Sequence, residues 1–161
     1  MLEQSNRLFY LSYATCAAIA FSVPVTFYLV QSTFVQSWLL YLGNFLFLIV
    51  IVVFIFSFNK KTGKTASSIA MLTAGSKVTA AGVTFSLVLC FLLMLMLVPG
   101  LFHSNPGKVL KSAPVNTISG NTNGLVFKVV ASAIVGNVVT GLFASSIFSF
   151  SLKGAQENTN S

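Results

Sequence analysis

Four sets of residues in this sequence have types that could do chemistry. Glu3 and Glu157 are the only carboxylates, and His103 is the only histidine. General acid–base work needs such groups within hydrogen-bond reach of a partner. A metal centre needs several of them converging. Here the acids stand near the two ends of the chain and the histidine stands alone between apolar segments. Hydrolytic, metal and proton-relay roles therefore fail on inventory. Gly63-Lys64-Thr65 has the last three residues of a phosphate-binding loop. That loop needs a further glycine five positions earlier and a strand before it. The position holds Phe58 and the preceding segment is apolar throughout, so the triplet reads as a cationic turn. Cys16 and Cys90 sit inside apolar runs with no Cys-x-x-Cys spacing, and read as small buried side chains. No catalytic residue, cofactor or metal is expected, and no enzymatic activity.

The fourth set is uncharged. Ser132, Gly136, Thr140 and Ala144 repeat every four residues, and Ala133, Asn137, Gly141 and Ser145 form the adjacent row. Residues four apart share a helix face. Two adjoining small rows let another helix backbone approach closely. The surface serves packing inside one bundle or contact with another copy or partner. Asn44 and Asn137 are the carboxamide side chains that stand within apolar runs. Each is expected to hydrogen-bond across helices, a contact worth about 0.6–2 kcal/mol in lipid. Counted along their own spans they lie about 9 and 18 Å from the outer end.

These residues need elements to hold them. The 161 residues are 55% hydrophobic and 7% charged, with a net charge of +7. Soluble domains carry about 25% charged residues. Apolar runs at about 8–30, 38–58, 78–102 and 125–150 hold almost no ionisable group. Runs of about 18 or more such residues read as transmembrane helices. The expectation is an all-α, integral membrane four-helix bundle of two antiparallel hairpins, filling residues 1–152 as one domain. Residues 153–161 are expected to be a polar flexible tail. Pro24 is expected to kink or loosen the first span. The first span is too long for a cleaved signal segment and is expected to be retained. Residues 67–77 read either as an interfacial helix or as part of the third span.

With the N-terminus inside, six Lys or Arg residues fall on the cytoplasmic side and three, Lys108, Lys111 and Lys128, on the other. The positive-inside rule then places both termini in the cytoplasm. Lys60, Lys61, Lys64 and Lys77 are expected at lipid headgroups, so the positive charge speaks for a bilayer partner and not for nucleic acid. The expected location is a cell (inner) membrane of bacterial type. Small multidrug transporters share the helix count, but the membrane-embedded Glu of that family has no counterpart here. The leading expectation for function is a non-enzymatic accessory or scaffold subunit acting through helix contacts. The alternative is an oligomeric channel or transporter for neutral or weakly polar solutes, its pore lined by the fourth span.

Overall fold

The computed structural model describes residues 2–31, 34–63, 66–98 and 123–159. Among these every long element is helical and no strand occurs. The helices are α1 (Leu2–Gln31), α2 (Trp38–Lys61), α3 (Ser68–Leu97), α4 (Asn123–Ala131) and α5 (Asn137–Thr159). A π-helical turn, Ser132–Gly136, joins α4 to α5, so the two form one continuous fourth span. Four helices are thus long and apolar enough to cross a membrane. In lipid every backbone polar group must pair internally, which only a helix can manage within one segment.

Register follows from side-chain contacts. Gly43 of α2 lies on Phe21 of α1, and Tyr13 of α1 donates to Ser57 of α2 at 2.9 Å, so the two run antiparallel. Gly75 of α3 lies on Ser145 and Thr79 on Gly141, so α3 and α5 also run antiparallel. α1 packs on α2 and α3, and the fourth span packs on the same two. α1 and the fourth span therefore stand at opposite corners, with α2 and α3 meeting between them. This is the expected pair of antiparallel hairpins, and both described ends of the chain reach the same face of the bundle.

Several bounds differ from the sequence expectation. α3 starts ten residues early, because Ser67 caps it: its backbone is extended and its Oγ accepts from the Ala70 amide at 3.1 Å. Residues 68–77 are therefore an extension of the third span and not a separate interfacial helix. α3 closes at Leu97, and Val98 turns extended (φ −112°, ψ 91°) immediately before Pro99. Residues 99–102 of the expected span, with His103, Lys108 and Lys111, lie outside the described residues. α1 runs unbroken through Pro24 to Gln31. α5 runs on to Thr159, so the segment expected to be a polar flexible tail is helical as far as that residue. Extending an existing helix costs far less than nucleating one, and Ala155-Gln156-Glu157 are good helix formers. α2 ends in a turn in which Gly63 takes the left-handed conformation, φ 63°, open to a residue without a Cβ.

The open end of the α1–α2 hairpin is aromatic. Phe9, Tyr10 and Tyr13 pack around Phe54 and Phe58 with ring centroids 5.1–6.3 Å apart. Lys61 places its ammonium 4.5 Å from the Phe9 ring centroid.

Candidate functional site

The bundle is held where small residues meet. In α2, a Cβ on Gly43 would lie 2.9 Å from the Phe21 ring. In α3, a Cβ on Gly82 would lie 3.0 Å from the Phe47 ring. In the fourth span, a Cβ on Gly136 would overlap the Asn44 carboxamide, and one on Gly141 would overlap Thr79. Removing the side chain at each crossing lets the backbones close, which is the main attraction available between helices in lipid.

Of the predicted packing residues, Ala144, Asn137 and Gly141 are buried, and Ser132, Gly136 and Thr140 are half-buried. The faces they form are turned into the chain's own bundle, against α2 and α3. Outward, the same span presents Val135, Val139, Leu142, Phe143 and Phe150.

The π turn explains how both small rows point inward. The Asn137 amide donates to Ser132 O, five residues back instead of four. That one-residue insertion brings Ser132 and Asn137 onto one face, although they belong to different four-residue rows. Thr140 Oγ1 donates to Gly136 O at 2.8 Å and so ties down the backbone just below the turn. Single π turns inside α-helices often mark functional positions. Nothing in the residue types at 132–136 announces this one.

Around the turn lies a polar layer. Asn44 Nδ2 donates to Ser132 Oγ at 3.0 Å. Asn137 is fully buried, and neither its Nδ2 nor its Oδ1 has a hydrogen-bond partner among the described residues. Asn44 Oδ1, Thr79 Oγ1 and Ser86 Oγ are buried and unpartnered in the same way. Thr79 and Ser86 both lie in the buried seam of α3, to either side of Gly82. The two asparagines do not sit at the depths that counting along the spans gave. Asn44 touches Ser132 and Gly136, so Asn137 lies within about one helical turn, ~5 Å, of its level. The counted difference assumed that both apolar runs begin at one plane. In the structure the first turns of α4 extend past Trp38, where Lys128 donates to Ser37 Oγ at 3.2 Å.

The layer can bind and orient neutral hydrogen-bonding groups. Its residues Asn44, Thr79, Ser86, Ser132 and Asn137 carry no ionisable side chain. An unmet polar group inside a protein costs about 1–3 kcal/mol, and more where lipid surrounds it. Asn137 therefore carries the largest unmet demand in the described core.

Lys60, Lys61 and Lys77 are all exposed; Lys64 lies outside the described residues. Lys60 and Lys61 stand in the last turn of α2. Lys77 lies further along the bundle axis, on the outer face of α3, between the levels of Gly75 and Thr79. Cys16 is exposed and Cys90 buried, both free.

No protein-family model matches the chain, and no curated protein or solved structure matches it significantly.

Proposed function

We propose that the protein is a non-enzymatic accessory or scaffold subunit of a membrane assembly, with both termini cytoplasmic, in a cell (inner) membrane of bacterial type. The carrying observation is the division of surfaces. The small and polar face of the fourth span is occupied by the chain's own α2 and α3, so contact with a partner falls to another face. α3 offers one: Thr73, Lys77, Ala80 and Thr84 are exposed and spaced four, three and four apart, which is one helix face. The Thr84 hydroxyl is turned back onto Ala80 O at 3.0 Å, which keeps that face narrow. Two copies meeting there would set Lys77 against Lys77, so the face suits a different chain. With acids only at positions 3 and 157, the spans supply recognition and not reaction chemistry.

The test is co-purification from native membranes in mild detergent. Wild-type protein is expected to carry a stoichiometric membrane partner, lost in Ala80→Leu and Thr84→Leu variants whose thermal midpoints match wild type. Repeated isolation of the chain alone contradicts the proposal.

A second reading is a path for neutral solutes, favoured by the buried polar layer of Asn44, Thr79, Ser86 and Asn137. Because the fourth span's polar face is internal, such a path would run inside one chain and not between copies. Liposome flux of water, urea and glycerol tests it. Wild-type rates equal to those of empty vesicles end it.

A further inference from the structure

The unmet polar atoms of the central layer belong together, and they imply a ligand. Asn137 offers two N–H donors and an acceptor oxygen, all unpartnered among the described residues, at 0% exposure. Its neighbours are fixed by two contacts. Gly136, adjacent in the chain, lies on the Asn44 carboxamide, and Gly141, one turn on, lies on Thr79. Asn137 thus stands between an acceptor, Asn44 Oδ1, and a hydroxyl, Thr79 Oγ1, neither of which has a partner of its own. Ser86, fully buried two turns along α3 from Thr79, adds a third unpartnered oxygen on the same seam.

Direct pairing does not resolve the layer. Asn44 Nδ2 donates to Ser132, and no hydrogen bond joins the Asn137 carboxamide to Asn44, Thr79 or Ser86. The missing component must both donate and accept, must carry no charge, and must be small enough for complete enclosure. Buried water meets these conditions, and typically makes about three hydrogen bonds to groups that otherwise lack partners.

We propose that the polar layer is an internal water-binding site. In it Asn137 Nδ2 donates to a water, and that water donates to Asn44 Oδ1. Asn137 Oδ1 accepts from a second water that also meets the Thr79 hydroxyl, and the Ser86 hydroxyl, about 10 Å along α3 from Thr79, meets a further water. The π turn belongs to the site, since it brings Asn137 onto the face that Ser132 and Asn44 share. Spans two, three and four are then joined through water as well as through glycine contacts. This site is independent of any partner on the outer face of α3.

Water-edited solid-state NMR of the full-length protein in phosphatidylcholine vesicles with deuterated acyl chains tests it. At short mixing times, transfer from water to the Asn137 side-chain amide is expected to exceed, severalfold, transfer to the flanking backbone amides of Ala133 and Val138. Thr79→Val, close in shape and lacking the hydroxyl, is expected to reduce that transfer while leaving the backbone spectrum intact. Transfer to Asn137 no greater than to its neighbours overturns the proposal. So does a through-bond coupling that shows Asn137 paired directly with Asn44. So does an Asn137→Leu variant that is folded, shows an unchanged Thr79 hydroxyl environment and melts higher than wild type.

Discussion

Asn44 lays its carboxamide on Gly136, at the last residue of the π turn, where any Cβ would overlap it. One turn back along the fourth span, Ser132 accepts from the same carboxamide at 3.0 Å. The contact joins the two hairpins at the level where the core is most polar. It also shows why a glycine is needed there: the neighbour is a carboxamide held by its own hydrogen bond, not the free end of a flexible side chain.

Gly136→Ala is therefore expected to destabilise the folded protein by about 1–3 kcal/mol, the usual cost of overpacking. The check is a detergent thermal melt alongside size-exclusion mass. The midpoint is expected to fall with no change in oligomeric state. A variant that melts like wild type but loses a higher-order assembly would place this face between copies instead.

Glycines elsewhere in the same span are expected to behave differently. Gly154 is exposed and a Cβ there meets nothing within 4 Å. Gly154→Ala should be neutral or stabilising, by up to about 1 kcal/mol, through helix propensity alone. Gly141→Ala, against Thr79, should be destabilising. Equal effects of the two substitutions would contradict the packing described for α3 and α5.

The Asn44–Ser132 bond can be isolated by a double-mutant cycle. Asn44→Leu and Ser132→Ala are expected to couple by about 0.6–1.7 kcal/mol, the range for hydrogen bonds between membrane helices. Additive effects would mean that the bond contributes nothing.

Deleting Val135, which faces outward, should convert the π turn to regular α-helix. Everything before it would then rotate by about 100° relative to α5. Lys128 and Ser132 would leave Ser37 and Asn44. An Asn44→Cys, Ser132→Cys pair, replacing two short side chains that meet at 3.0 Å, is expected to cross-link in the intact chain and to fail after the deletion. Persistent cross-linking would mean that the turn does not set this register.

How far the sequence carried can be judged from these residues. The four spans and their hairpin order were legible, because crossing lipid imposes an apolar length that little else in a short chain produces. Ser67 was a readable start signal for α3, but the moderate polarity of residues 68–77 masked it. Gly136 and Gly141 lie on Asn44 and Thr79 at positions that spacing had put on adjoining faces, whereas spacing could not say that the neighbours are α2 and α3. The nearness in level of Asn44 and Asn137 was hidden for a physical reason. Depth counted along a span assumes a common starting plane and unbroken 3.6-residue periodicity. The offset of α4 past Trp38 breaks the first assumption, and the π turn breaks the second.

The central claim is that the small face of the fourth span is occupied within its own chain. A cysteine pair at Thr79 and Gly141 tests it most directly, in a Cys16→Ser, Cys90→Ala background. Thr79 Cβ lies 3.0 Å from a Cβ built on Gly141, a few tenths of an ångström inside the usual disulfide spacing of about 3.5–4.5 Å. On mild oxidation in native membranes, the pair is expected to form an intramolecular disulfide, seen as faster-migrating monomer, while each single cysteine stays monomeric and reduced. Disulfide-linked dimers from either single variant, without the intramolecular product in the pair, would contradict the account.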